Sequence, residues 1–224
     1  MKTIETMLSS GYANSRALVC LMAMGFAVSS SAATGRESAQ PAQDGPHYRT
    51  GDNWTYLSFD PLSGTSKTIT QTATLVRPDG SASLVVDPGG GHLELTSEAN
   101  VIRNRSDPQP CGVVLHFPLR VGTHYEVDCR TTSTTGMPVV RRAQSEVEDV
   151  EAVSTKAGSF SAIKIKMTGI WSPLSGTGGG PMEETMWYAP AVKRVVRDDY
   201  QIRLAGKGVP ATRESELVRY SVKP

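Results

Sequence analysis

Cysteine is scarce in this chain: three in 224 residues, with Cys20 inside an N-terminal apolar run. Cys111 and Cys129 are all that remains beyond it, too few for a disulfide-built scaffold or a four-thiolate zinc site. Aromatic residues make up only 6% of the chain, which argues against an extended platform for stacking bases. An excess of either charge is missing too. There are 23 Lys+Arg against 22 Asp+Glu, and setting aside residues 1–33 with Lys2, Arg16 and Glu5 leaves 21 of each. A neutral chain has no electrostatic drive toward nucleic acid or an anionic membrane. No apolar run reaches the roughly 20 residues that a membrane-spanning helix needs. Catalytic signatures are also lacking: G-x-S-x-G, a Cys/His arrangement, CxxC and HxxxH do not occur. The chemistry of nucleophiles and metals leans on such patterns, so no enzyme, metal or cofactor is expected.

The N-terminus reads as an export signal. Lys2 and Arg16 supply positive charge, Ala17–Val28 is an apolar core, and Ser29–Ala33 provides small residues for cleavage after Ala33. An uncut anchor is the alternative, and Met7 offers a second start. Cys20 follows Val19 inside the apolar core, so it does not sit where a lipidated cysteine would. After cleavage no transmembrane anchor is expected, and the exported chain works in the periplasm or outside a bacterial cell. In an oxidising compartment Cys111 and Cys129 are expected to pair. The chain-entropy estimate for a loop of about 15 residues is about 3 kcal/mol. Two free thiols or a metal pair are the alternatives.

Residues 34–46 are polar and rich in Pro, Gly, Ser and Gln, which predicts a disordered linker. The folded domain is expected over residues 47–224, and nearly all of it has strand character. Asn53–Phe59 and Lys67–Val76 are dense in β-favouring residues, and Asp60–Ser66, Arg77–Gly80 and Asp87–Gly91 are turn clusters. Gly112–Phe117 reads as a compact apolar strand, and Thr123–Thr131 as a strand carrying Cys129. Val139–Val153 is ambiguous. Ala143, Val147, Val150 and Val153 fall near helical spacing, yet the stretch lacks an N-cap and is rich in β-branched valine, which favours strand. In Gly158–Thr168, Ile163, Ile165 and Met167 alternate with Lys164, Lys166 and Thr168, the pattern of a strand with one wet face. Glu184–Ala189 and Val192–Tyr200 form a further pair across Pro190, and Glu216–Val222 closes the chain. The count is about ten short strands. The fold class is all-β: a single curved antiparallel sheet, a half-barrel or a β-sandwich, with little or no helix. Thr50–Ser58 and Arg120–Asp128 share a Gly-x-x-aromatic entry, read either as duplication or as a common strand opening.

Several residues are candidates for a site. Trp54, Trp171, Trp187 and Tyr188 either line a ligand cavity or fill the core. Ser175, Gly176, Gly178, Gly179 and Gly180 read as a mobile loop between the best strands, without the lysine of a phosphate-binding loop. His92 and Glu94 share a strand parity but lack a third ligand, and His47, His116 and His124 are scattered. The members of each doublet, Glu183–Glu184 and Asp198–Asp199, should face opposite sides of their strand, so neither makes an acid/base pair by itself, and both doublets read as solvated strand ends. The sequons at Asn53 and Asn104 carry no weight in a bacterial exported chain.

Gly51–Tyr56, Phe117–Gly122, Ala157–Lys166 and Thr185–Arg197, followed by a terminal Glu216–Tyr220, occur in that order. The order resembles secreted bacterial proteins of unknown function in uncharacterised β-domain families such as DUF3108 and TapB, over about Thr50 to the C-terminus. The resemblance implies curved antiparallel strands in an envelope protein and carries no catalytic residues; His124–Tyr125 and the cysteine pair depart from the family pattern. An analogy of shape to the LolA/LolB lipoprotein carriers follows. The expected function is therefore non-enzymatic binding of an apolar small molecule or an envelope component on the concave face. The alternative is a protein-interaction or structural subunit of an envelope assembly.

Overall fold

A computed structural model describes residues 43–102, 115–132, 137–176, 178–203 and 210–224. The signal region, most of the linker and Cys111 lie outside the described residues. The strands are β1 (Asn53–Asp60), β2 (Thr65–Val76), β3 (Ala82–Asp87), β4 (Gly91–Leu95), β5 (Val101–Ile102) and β6 (His124–Thr132). They continue with β7 (Pro138–Thr155), β8 (Gly158–Pro173), β9 (Gly180–Ala189), β10 (Arg194–Ile202) and β11 (Ala211–Ser221). All eleven belong to one antiparallel sheet, ordered β5-β4-β3-β2-β1-β11-β10-β9-β8-β7-β6 and not closed into a barrel. The only helical element among the described residues is a 3-10 turn at Pro190–Val192. The all-β expectation holds, although β7 and β8, at 18 and 16 residues, are not short.

The order resolves into two meanders, β1 to β5 and β6 to β11, joined where β1 pairs with β11. The repeated Gly-x-x-aromatic entry has a structural counterpart. Gly51 N–H donates to Ala73 O at 2.8 Å and Ala73 N–H donates to Asp52 O at 2.8 Å. In the second meander Gly122 N–H donates to Val147 O at 2.8 Å and Val147 N–H to Thr123 O at 2.9 Å. Both glycines take positive φ, 93° and 81°, which a turn into a strand tolerates best without a side chain. The second strand of each unit then carries a bulge in the next ladder, between Ala73 and Leu75 and between Val147 and Asp149. Thus β1–β2–β3 and β6–β7–β8 share one hydrogen-bond scheme.

The second bulge explains the near-helical spacing along Val139–Val153. Val147 pairs with Ile165 and Val150 with Ile163, so residues three apart reach the same face once one extra residue intervenes. Val153 pairs with Phe160 on the opposite face. Both are buried in a cluster that also contains Leu217 of β11. The β7–β8 tip reaches that strand: Ala157 N–H donates to Leu217 O at 3.2 Å, and Lys156 pairs with Glu216 at 3.2 Å. With β8, β9 and β10 between them in the ladder, this contact requires the sheet to curl.

The face bearing Ile163, Ile165 and Met167 is dry. It packs with Met186, Tyr188, Val147 and the crossing segment that holds Leu115 and Leu119. For Leu115–Phe117, its described part, the sequence reading of Gly112–Phe117 as a strand is corrected. Residues 115–117 are not in the ladder and are tethered by side chains. Leu115 N–H donates to Asn100 Oδ1 at 2.5 Å, Asn100 Nδ2 to Leu115 O at 2.7 Å, and Phe117 N–H to Glu98 at 3.0 Å. The opposite face of the same strands is wet, with ion pairs Lys164–Glu148 and Lys166–Glu183 at 2.8 and 3.1 Å.

The expected mobile loop is part packing element. A Cβ on Gly179 would collide with the Trp171 carbonyl, and one on Gly180 with the Arg203 carbonyl. Glycine at 179 and 180 thus serves close backbone approach, which corrects the loop reading at those two positions. Ser175, Gly176 and Gly178 have no such constraint: a Cβ at Gly176 meets nothing and one at Gly178 only a proline edge.

Candidate functional site

The β9–β10 connection sets up the site. Pro190 starts the 3-10 turn, and Lys193 ends it in the left-handed region with φ 62°. Arg194 and Val195 pair with Ala189 and Tyr188, then Val196 bulges so that Arg197 pairs with Trp187. The bulge places Val195 and Asp198, three residues apart, on one face. Pairing of β10 with β11 begins only at Arg197. The stretch before it is held by β1 and the preceding turn instead. Trp54 Nε1 donates to Val192 O at 2.8 Å, Tyr56 Oη to Val195 O at 3.0 Å and Tyr48 Oη to Lys193 O at 3.3 Å.

A cavity of about 180 Å³ opens between the two meanders here. Its lining combines apolar surface from Tyr56, Ile69, Ala99, Val101 and Val195 with the polar side chains of Gln71, Arg141, Glu184, Arg194, Arg197, Asp198, Arg213 and Ser215.

Glu184 and Asp198 come from the two carboxylate doublets. Glu184 pairs with Tyr200, and Asp198 with Met186, so both project onto the dry face. Their neighbours Glu183 and Asp199 take the wet face with Lys166 and Arg197. Sequence reasoning placed both doublets at solvated strand ends. The structure corrects that for half of each, because cross-strand register unites one member from each doublet. Glu184 is only 2% exposed. Arg213 pairs with Asp198 at 3.0 Å and lies 4.0 Å from Glu184. Burial, then the neighbouring Asp198 charge, pushes the Glu184 carboxyl up to about 8, and burial also raises Asp198. Near neutral pH the pair therefore shares one proton. Tyr200 lies under both arginines, with the Arg141 and Arg213 guanidinium carbons 5.4 and 5.1 Å from its ring centre.

Arg194, 8% exposed, is the second polar centre. Its Nη2 donates to Gln71 Oε1 at 2.8 Å, and its guanidinium lies 5.3 Å from the Trp54 ring centre. The Tyr48 and Tyr56 hydroxyls lie beside it, and burial raises the pKa of both. Nη1 makes no hydrogen bond. Neither Arg141 nor Arg194 forms an ion pair among the described residues.

The four aromatics proposed to line a cavity do not meet at this one. Trp54 is fully buried as a core anchor beneath the cavity, and Tyr188 is buried edge-on to Phe117 at 5.3 Å. Trp187 is on the wet face, bonded to Glu151 and covered by Arg197 at 5.1 Å. Trp171 donates to Arg203 O at 3.3 Å at the far end of β8. Trp187 and Tyr188 are adjacent, so the pleat sends them to opposite faces. The histidines stay apart from the cavity. His116 and His124 lie near Glu98 and Glu146 at 3.7 and 3.8 Å, and Glu94 is held by Arg77 at 3.0 Å. Among the described residues no three His, Cys, Asp or Glu are placed to hold a metal ion. Cys129 is buried; Cys111, its expected disulfide partner, lies outside the described residues.

No protein-family model matches the chain, so the resemblance to DUF3108 and TapB gains no support from one. No curated protein matches by sequence. Solved structures do match. A candidate lipoprotein from Parabacteroides distasonis ATCC 8503 aligns over 81% of this chain and all of its own, with 14% identity and a TM-score of 0.52. A candidate exported protein with a YmcC-like fold from Bacteroides fragilis NCTC 9343 aligns over the same shares, with 17% identity and a TM-score of 0.44. The first likeness establishes a shared fold. No described helix is long and apolar enough to cross a membrane.

Proposed function

We propose that this chain is an exported, non-enzymatic β-domain that binds a small ligand with an apolar body in the cavity between its two meanders. The observation that carries the reading is the cavity itself, whose lining combines apolar side chains with fixed polar groups, the usual construction of a ligand pocket. Export is supported by the N-terminal pattern of charge, apolar core and small residues. A non-enzymatic role is supported by the sequence, which carries no G-x-S-x-G, CxxC or HxxxH pattern.

Native mass spectrometry with organic extraction, on protein purified gently from an envelope fraction, tests the reading. A retained small molecule is expected. A bare monomer counts against it, and a co-purifying protein moves the assignment to an interaction subunit. The same spectrum tests the proposed cleavage after Ala33 and the Cys111–Cys129 disulfide: the mass should equal that of residues 34–224 less two hydrogens.

A further inference from the structure

We propose that the cavity is an acid-recognition site, in which a carboxylate carried on an apolar chain docks on Arg194 and lays its chain against Tyr56, Ile69 and Val101. The proposal rests on the ligand-binding reading above and names the class of ligand. A guanidinium presents five N–H donors and stays charged. Arg194 is 8% exposed, one of its donors reaches Gln71 Oε1 at 2.8 Å, and Nη1 has no partner. Elsewhere this chain neutralises a largely buried cation. Lys193, whose side chain is 13% exposed, has the fully buried Asp52 at 2.9 Å. At Arg194 the contacts are an amide oxygen, an aromatic face and two tyrosine hydroxyls, all uncharged. A buried cation without a counter-ion is costly, and a bound anion removes that cost.

The charge around the cavity sets the valence of the anion. Arg141, Arg194, Arg197 and Arg213 line it against Glu184 and Asp198; Arg197 is paired with Asp199, and Glu184 and Asp198 share a proton near neutral pH. The lining is therefore cationic overall, yet the acids facing Arg213 would repel a second negative charge. A planar monoanion matches a guanidinium edge. The volume of about 180 Å³ corresponds to about six liquid waters. That admits a headgroup and a few carbons, so a longer chain must leave over the apolar lining.

The test is isothermal titration calorimetry on the mature wild-type protein with decanoate, decanol and decyl phosphate as probes. Decanoate is expected to bind at least about tenfold tighter than decanol, as a charged hydrogen-bonded contact requires. Arg194→Gln is expected to remove that advantage, while Arg142→Gln, an exposed substitution away from the cavity, retains it. Equal affinity for decanoate and decanol overturns the proposal, as does an Arg194→Gln protein that still prefers decanoate. Tighter decyl phosphate identifies a phosphate headgroup and overturns the carboxylate assignment. Because Arg194→Gln removes a packed side chain, its folding is checked by circular dichroism; if it is unfolded, the wild-type decanoate-to-decanol ratio decides alone. Failure of all three probes beside a retained neutral molecule in the native spectrum overturns the acid reading and leaves the binding reading standing. Failure of all three with a bare protein overturns both.

Discussion

Replacing Lys193 by methionine is expected to cost about 3–5 kcal/mol of folding free energy, the usual penalty for stranding a buried charge. Asp52 is fully buried. Its Oδ2 accepts from Arg49 N–H at 3.0 Å and Lys193 Nζ at 2.9 Å, and its Oδ1 from Lys223 N–H at 2.8 Å. Lys193 Nζ also donates to Lys223 O at 2.8 Å. One carboxylate thus joins the entry to the first meander, the β9–β10 bend and the end of the chain. Removing the ammonium leaves the charge in place with two backbone donors. For a domain of this size the loss corresponds to a fall in Tm of about 6–20 °C. Asp52→Asn should cost less, because it removes the charge with the counter-ion's need. The double variant should be less damaged than the sum of the two single ones. Urea unfolding of the four proteins measures this. Additive losses would mean that Asp52 and Lys193 act separately.

Glu184→Gln is expected to reverse sign with pH. The folded pair holds its proton to about pH 8, whereas an ordinary glutamate in the unfolded chain releases it near 4.5. Folding therefore takes up a proton between those values. The contribution is fully present below about pH 4.5 and is lost as pH rises through about 8. Burial is the first cause and the Asp198 charge the second, with Arg141 and Arg213 opposing both. Glutamine has no proton to lose and its amide N–H still faces Asp198. The variant should equal or trail wild type at pH 5 and exceed it at pH 8.5, by on the order of 1–3 kcal/mol. Denaturant titrations at both pH values decide the matter. Parallel pH profiles for the two proteins would mean that Glu184 ionises like an exposed acid.

Most of the sheet was legible because strand alternation is local. Ile163, Ile165 and Met167 reach the dry face as their spacing demands. Val139–Val153 looked ambiguous because its bulge lies one residue beyond Val147, and a shift of phase cannot be read from spacing alone. The site was less legible for the same kind of reason. Glu184 and Asp198 are fourteen residues apart and converge only through the register of β9 on β10, which the Val196 bulge resets. Arg194 shares strand parity with Val192 and Val196, but as a basic residue beside Lys193 it reads from sequence as solvated. Its burial follows from β1, whose Trp54 and Tyr56 hold the bend from across the sheet. One part was available in advance: adjacent Trp187 and Tyr188 cannot share a face. The paired Gly-x-x-aromatic entries were also visible. Their significance emerged only when the two ladders proved to carry the same bonds and the same bulge.

The most direct test of the binding account is a crystal structure of the protein purified gently from its source cells, without detergent exchange. The account expects continuous density in the cavity, polar at the end near Arg194 and apolar where it crosses Tyr56 and Val101. A cavity holding only water, in protein whose native spectrum retains a molecule bound elsewhere, would contradict it.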